Sequence, residues 1–395
     1  MEDGLVEKNF RVVIIGGGII GCLTAWRLAQ RGAEPLIIER GRIGHESSWA
    51  GAGILCPIQP WLYPHAFTRL IEASLALYPD LQKELQSHTG ISPQWLKSGL
   101  LMPFFPDDTV NHRQAALDWS NRFGWQVEQL DARQAQEAES ALADDVQGAL
   151  LWPNVGQVRN PRLLKALRTL LQSEGVEIRG QTEVEGLIEK AGRVCGVCLT
   201  DESTLEADAV LLAAGSWSGV LGKQFGISLP IKPVKGQIVL LKSQPGRIIH
   251  IVKHDRAYFV PRRDGRILVG ASMESVGFKR GNTVVEMHGL LNGLLRLAPQ
   301  LAHEQIEYQW MGFRPGTPDG LPFLGPIHEK PGLWVASGHY RNGVALAPIT
   351  AEIMSGWMLG KQPDMDMTCF LPNRSVQPSS VLGFPDVRLF PLRHV

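Results

Sequence analysis

Val12-Val13-Ile14-Ile15-Gly16-Gly17-Gly18-Ile19-Ile20-Gly21, with Pro35-Leu36-Ile37-Ile38-Glu39-Arg40 a short distance on, decides the fold of this chain. The β-branched run at 12–15 suits a strand buried on both faces of a parallel sheet. It stops at three glycines. Ile19, Leu23, Trp26 and Ala29 then recur at helical spacing, and Gly32 stands where a helix cap belongs. A second apolar strand closes on Glu39. In a unit of this kind Gly16 permits the tight turn and Gly18 lets backbone amides approach a pyrophosphate. Gly21 lets the helix pack closely on the strand. Free amides and partial positive charge at the helix N-terminus favour phosphate. Glu39, 18 residues beyond Gly21, is placed to accept hydrogen bonds from ribose hydroxyls. Glycines alone would be weak evidence, but strand, glycines, helix and acid in this order mark a dinucleotide site. The unit does not by itself separate FAD from NAD.

The rest of the chain bounds the possibilities. Its 395 residues suggest two domains, and 39 basic against 39 acidic residues leave no net charge to recommend nucleic acid or an anionic membrane. Cys22, Cys56, Cys195, Cys198 and Cys369 are odd in number and scattered, unlike a disulfide framework. The first eleven residues have no signal-peptide pattern, and no apolar run is long enough for a transmembrane segment. A reducing cytoplasm is the expected location. Oligomeric state stays open, a homo-oligomer being compatible with the sequence.

Further segments follow in a fixed order. Small and hydroxylic residues at 47–53, including Ser47, Ser48, Ala52 and Gly53, allow backbone to press against a ligand. Strand-like runs at 176–178, 184–188 and 194–199 precede Ala209-Val210-Leu211-Leu212-Ala213-Ala214-Gly215, a strand ending in small residues. Leu333-Trp334-Val335-Ala336 leads into Gly338-His339-Tyr340-Arg341-Asn342-Gly343 and a helical run to Leu359. Within that helix Pro348 is tolerable only in the first turn.

Residues 14–39, 47–53, 211–217, 233–236, 258–273, Gly312-Phe313-Arg314-Pro315-Gly316-Thr317 and 338–348 together resemble the D-amino-acid oxidase family. Within it the likeness is greatest to the glycine oxidases of thiamine biosynthesis. It covers residues 10–371, leaving 372–395 as a tail. The resemblance implies an α/β FAD-binding Rossmann-like domain (10–90, 150–225 and 315–371). It also implies an α+β substrate domain with a mainly antiparallel sheet (91–149 and 226–314). Non-covalent FAD would be gripped by Gly16, Gly18, Ile19, Ile20, Gly21, Glu39, Arg40, Ser47, Ser48, Ala52, Gly53, Ile54, Val184 and Gly215. His339, Tyr340, Arg341, Asn342, Gly343, Val344 and Ala345 would complete that set beside the isoalloxazine. Arg314 would hold the substrate carboxylate, with Tyr258, Arg341 and Met273 completing the pocket. The implied reaction is oxidation of glycine or another small amine or D-amino acid, by hydride transfer to flavin N5 and with O2 reduced to H2O2. The imine then hydrolyses unless thiazole synthesis captures it.

Such chemistry needs orientation more than acid–base groups, because the cofactor carries the electronic work. A neutral amine needs no protein base, so no catalytic side chain is assigned. An arginine fork fixes a carboxylate bidentately, and a tyrosine hydroxyl adds a hydrogen bond. Taken alone, Arg314 could equally be a structural arginine before Pro315, and Tyr258 a buried strand tyrosine; the matching segments favour the site. Arg256 departs from the family pattern, which has histidine two residues before the tyrosine. Pointing inward it would make the pocket more cationic; a solvated loop position is the simpler expectation.

Other signals are set aside. Cys195 and Cys198, three apart in a strand, should point to opposite faces as core cysteines. His250 and His254 have the spacing of a metal pair but no further ligands, so no metal site is assigned. Residues 61–64 form a packed loop, a lid being the alternative. Asn160 caps a helix over 163–171, with Pro161 in its first turn. The competing functions are a D-amino-acid dehydrogenase passing electrons to quinone and a flavin-binding module without turnover. Covalent FAD would need a cysteine in the C-terminal half, where Cys369 lies beyond the matched helix.

Overall fold

The computed structural model describes residues 10–57, 59–108, 112–255 and 257–379. Arg11–Ile15 is a central strand whose alternation feeds two different cores. Val12 and Ile14 pack with helices Ile19–Gln30, His65–Thr89, Asn160–Ser173 and Gly343–Met358. Val13 and Ile15 pack on a three-stranded antiparallel sheet of Val184–Lys190, Arg193–Leu199 and Thr204–Glu206. Burying each of these four side chains contributes about 1.5–3 kcal/mol. The six-stranded sheet so enclosed runs Phe323–Pro326, Leu333–Ser337, Ala209–Leu212, Arg11–Ile15, Glu34–Glu39, Glu177–Gly180. Its pairs are parallel except the first.

An eight-stranded sheet runs Gln305–Gly316, Lys232–Lys242, Arg266–Gly270, Tyr258–Pro261, Ile251–Lys253, Leu100–Phe104, Gly148–Trp152, Glu128–Asp131. Neighbours are antiparallel apart from Ile251–Lys253 against Leu100–Phe104. One face carries Leu101, Val239, Val252, Phe259 and Val269 into a core with helix Val284–Leu297. The opposite face carries Leu100, Trp152, Ile238, Tyr258 and Leu268, packed with Ala52, Ile54 and Trp61. The expected boundaries at 149/150 and 314/315 both fall inside strands of this sheet. Every residue of Gly148–Trp152 is paired, and in Gln305–Gly316 every residue but Glu307, which the register skips.

Three local expectations are corrected. Pro348 lies inside helix Gly343–Met358, beyond its first turn. A proline there cannot bond the carbonyl four residues back, yet that carbonyl, on Val344, accepts the Tyr78 hydroxyl instead. Ser74 Oγ serves the next one, donating to the Ala345 carbonyl at 2.6 Å and accepting from the Ile349 amide at 3.3 Å. Asn160 is a helical residue rather than the cap, which is Arg159. Its buried amide donates to the Ser48 carbonyl at 2.8 Å. Cys195 and Cys198 are half-buried, not core. The pairing skips Cys195, which breaks the alternation and lets Val194 and Val197 both face inward. Elsewhere Pro60–Leu62 forms a 3-10 turn and Tyr63 is buried, so residues 61–63 pack.

Tyr78→Phe leaves the Val344 carbonyl without its donor and is expected to cost about 1–3 kcal/mol of unfolding free energy. Adding Pro348→Ala restores a backbone amide and should recover part of that loss in urea denaturation. Equal losses for the single and double variants would sink this account.

Candidate active site

The strand–turn–helix at 15–19 opens on a cavity of about 820 Å3 that reaches the Ile238 and Tyr258 face of the eight-stranded sheet. Gly16 sits at φ +117°, and a Cβ there would lie 2.5 Å from the Ala213 carbonyl oxygen. Only glycine brings the two strand ends this close. A Cβ on Gly21 would collide with the Gly16 carbonyl, so Gly21 sets the packing of the helix on the turn and does not line the cavity. Glu39 Oε2 accepts the Gly17 amide at 2.9 Å and Oε1 the Gly41 amide at 2.8 Å. Each oxygen keeps a second lone pair for an outside hydroxyl. Arg40 places its guanidinium 4.0 Å over the Trp217 ring, both at the cavity wall.

The segment 47–53 closes this end. Ser48 Oγ accepts the Ile19 amide at 2.9 Å, at the head of the first helix. Ser47 Oγ donates to the Phe313 carbonyl. Trp310 Nε1 donates to the Ala50 carbonyl at 3.0 Å, and Arg262 Nη2 to the Ala52 carbonyl at 2.7 Å. Gly53, at φ +75°, lies so near the Val158 carbonyl that no side chain fits. Ala52, Gly53, Ile54, Val184 and Gly215 line the cavity as expected.

At the sheet end, register does the positioning. Ile238 pairs with Gly270, Gly270 with Tyr258, and Tyr258 with Lys253, a row across four strands. Cross-strand partners share a face, so these positions all address the cavity. Gly270 leaves room for the Tyr258 ring, and Gly236 for the Arg314 guanidinium; a Cβ at either would strike the other group. Arg314 Nη1 donates to the Ser272 carbonyl at 3.0 Å and lies within hydrogen-bonding reach of the Tyr258 hydroxyl. Behind it, buried Lys235 and Glu274 pair at 3.1 Å, and Glu274 also accepts from Ser272 Oγ and Gln237 Nε2, each at 2.8 Å. Burial pushes the Tyr258 phenol up, with Arg314 opposing, so it stays protonated. Burial lowers Arg314, which as a guanidinium keeps its charge.

The segment 338–345 divides. His339, Tyr340, Arg341, Gly343 and Val344 line the cavity, while Asn342 and Ala345 do not. Asn342 turns its amide to the Tyr63 hydroxyl at 3.2 Å, and Ala345 belongs to the helical core. Tyr340 takes a left-handed backbone, φ +49°, and its hydroxyl donates to Met273 Sδ at 3.7 Å. The Arg341 guanidinium stacks 4.6 Å over the Tyr340 ring. Arg256 lies outside the described residues.

Residues not anticipated are Arg262, Trp310 and Asn160, which hold segment 47–53, and Lys253, which lines the cavity. Pairing the short run at 251–253 against the strand that begins at Tyr258 would have found Lys253. Cys56 also lines the cavity, but burial pushes its thiol up to about 12, so it is no thiolate nucleophile. His250 and His254 face different carboxylates, Glu139 at 3.4 Å and Asp108 at 2.9 Å.

A glycine turn with free helix amides, a carboxylate for hydroxyls and a long cavity ending on an arginine fit a flavin dinucleotide. The family model "DAO: FAD dependent oxidoreductase" matches residues 11–357. The chain belongs to this family. Glycine oxidase of Pseudomonas aeruginosa is 39% identical over 363 residues, covering 92% of this chain and 98% of that one. The bifunctional protein ThiO/ThiG of Synechocystis sp. is 36% identical over 376 residues, 93% of this chain and 54% of the longer relative. The crystal structure of glycine oxidase from Geobacillus kaustophilus superposes with a TM-score of 0.86 at 31% identity, covering 94% of this chain and 100% of that one. As a DAO-family member this chain is an FAD-dependent amino-acid oxidase. Among its described residues no helix is long and apolar enough to cross a membrane.

His339 gives a test of how the oxidase's site couples to folding. Burial brings its imidazole from the ordinary 6.5 down to about 3, and Nε2 shares a 3.1 Å hydrogen bond with Thr350 Oγ1. Between those values the unfolded chain binds a proton that the folded chain refuses. Stability therefore falls as pH drops from about 6.5 toward 3, by roughly 2 kcal/mol at pH 5. His339→Gln should remove that part of the slope in denaturation measured from pH 7 to pH 5. A slope identical to that of the parent would show the imidazole is not the cause.

Proposed function

We propose that this oxidase converts glycine and other small amines or D-amino acids to the imine, reducing O2 to H2O2, as a cytoplasmic step supporting thiamine biosynthesis. The observation that carries the reading is Arg314, its guanidinium laid flat over Gly236 beside Tyr258 at the end of the long cavity. The names of the glycine oxidase and ThiO/ThiG relatives point the same way. FAD, bound without a covalent link, supplies the acceptor for the two electrons.

The chain's own groups position the substrate. Arg314, anchored by the Ser272 carbonyl, offers its remaining N–H groups to the substrate carboxylate. Tyr258, kept protonated, donates a second hydrogen bond and covers the site. Met273 and Tyr340 form the apolar wall, with Arg341 at its edge. At the other end Glu39 takes the ribose hydroxyls, and the amides of Gly18 and Ile20, beside the turn at Gly16 and the Ile19 amide held by Ser48, take the pyrophosphate. Orientation of this kind can supply several kcal/mol of barrier lowering.

A peroxide-coupled assay with glycine, D-alanine and sarcosine tests the reading. Arg314→Leu should raise KM by about a hundredfold, the loss of a charge-assisted hydrogen-bonded pair, with FAD retained. Gly236→Ala displaces the same guanidinium without touching the fold, so KM should rise at least about tenfold while thermal stability barely changes. Acid precipitation should release all the flavin. Unchanged kinetics in both variants would remove Arg314 from the site. Dye reduction without peroxide would instead identify a dehydrogenase.

A further inference from the structure

Lys253 ends the short strand Ile251–Lys253 and pairs directly with Tyr258. The two side chains therefore stand together on the cavity face of the sheet. That face is otherwise aliphatic and aromatic, with Leu100, Trp152, Ile238, Val260 and Leu268 buried in it. Lys253 also lines a side chamber of about 50 Å3 that adjoins the main cavity, where apolar Trp61, Met102, Phe104 and Trp152 stand with polar Asp108, His112, His254 and Asp255.

Its ammonium spends one donor on the His254 carbonyl, at 2.6 Å. No carboxylate among the described residues lies within ion-pairing distance of it. Asp255, the nearest acid, turns toward Gln59 Nε2 at 3.3 Å and His112 Nε2 at 4.0 Å. A buried lysine with no carboxylate in ion-pairing contact is costly, and part of that cost is recovered when a ligand brings a negative charge into contact. The same chamber holds a second orphan donor: the indole N–H of Trp61 is buried and has no acceptor among the described residues. An ammonium with N–H groups to spare and an indole N–H without an acceptor can together hold an anion. Burial brings the Lys253 ammonium down to about 8, with the Asp255 carboxylate opposing and the Arg341 charge assisting, so it remains mostly charged at neutral pH.

We infer that Lys253, with Trp61, binds a second carboxylate, so that the preferred substrates are small amines bearing two carboxylates. The inference rests on the reading of Arg314 as the anchor for the carboxylate beside the reacting carbon. Tyr258 then separates two anion sites: Arg314 on one side and Lys253 on the other. The chamber, at about 50 Å3, holds a carboxylate and little more. The second acid can reach it from the nitrogen, as in iminodiacetate, or from the carbon, as in D-aspartate.

The holoenzyme is assayed for peroxide with iminodiacetate against N-ethylglycine and with D-aspartate against D-alanine, in the parent, Lys253→Met and Lys253→Arg. At least one dicarboxylate should exceed its partner by about tenfold or more in kcat/KM, as expected of a hydrogen-bonded charge pair. The pair that shows it tells whether the acid enters from nitrogen or carbon. Lys253→Met should erase the ratio, and Lys253→Arg should keep part of it. Calorimetric binding of succinate against acetate, which needs no turnover, should show the same preference and the same loss. If no amine is oxidised but succinate preference disappears in Lys253→Met, the anion site stands and the oxidase reading fails. If glycine is oxidised and neither dicarboxylate nor succinate is preferred, the inference about Lys253 is overturned.

Discussion

Segment 47–53 is the constraint on which both halves of the molecule depend. Its backbone carbonyls are held from separate elements: Ser48 by Asn160, Ala50 by Trp310, and Ala52 by Arg262. Val158 adds a backbone hydrogen bond to the Gly53 carbonyl at 2.9 Å. Because the carbonyls are spoken for, the Ser48 hydroxyl is free to accept from the first helix and complete the nucleotide end. Two of the three side chains that grip it come from the eight-stranded sheet or its turn. The distance between the nucleotide turn and the substrate end is thereby fixed by hydrogen bonds rather than by apolar packing alone. Each of these contacts is directional, which is what a reaction limited by orientation requires.

The substrate end is organised by pairing register. A one-residue slip in any of the strands around Tyr258 would send the cavity row to the helix-covered face. The opposite face, with Val239, Val252, Phe259 and Val269 packed with helix Val284–Leu297, resists that slip. The core on one side of the sheet thus specifies the chemistry on the other. The buried Lys235–Glu274 pair, bridged through Ser272 and Gln237, sits just behind the carbonyl that anchors Arg314. Breaking one member of such a pair would leave a buried charge uncompensated.

The nucleotide unit was legible because its rules are local: Gly16, Gly18, Gly21 and Glu39 have roles set by spacing within one βαβ unit. Arg314 and Tyr258 were legible through the segments around them, not through any pattern of their own. The rule for Pro348 was sound about the lost hydrogen bond and wrong about the consequence. The carbonyl it exposes is rescued by Tyr78, 266 residues from Val344, and no local pattern carries that. Arg262 and Trp310 escaped notice, and Asn160 was read only as a helix cap, for the same reason, since each acts on a backbone atom that only tertiary structure brings near. Cys195 shows a different limit. Alternation predicts facing only while pairing is continuous, and a bulge is invisible in a run of small and β-branched residues.

Gly236 and Gly270 give this end of the cavity an asymmetry of its own. Arg314 and Tyr258 lie on bare backbone, so at these two places the aperture is set by absent atoms. Nothing remains to be trimmed there. Drift or design can only narrow the pocket at those positions, and in narrowing it would unseat the guanidinium and the phenol. Room for bulkier molecules has to be found at positions that still carry large side chains, in the Met273 and Tyr340 wall or in the neighbouring chamber, where replacement by something smaller is open.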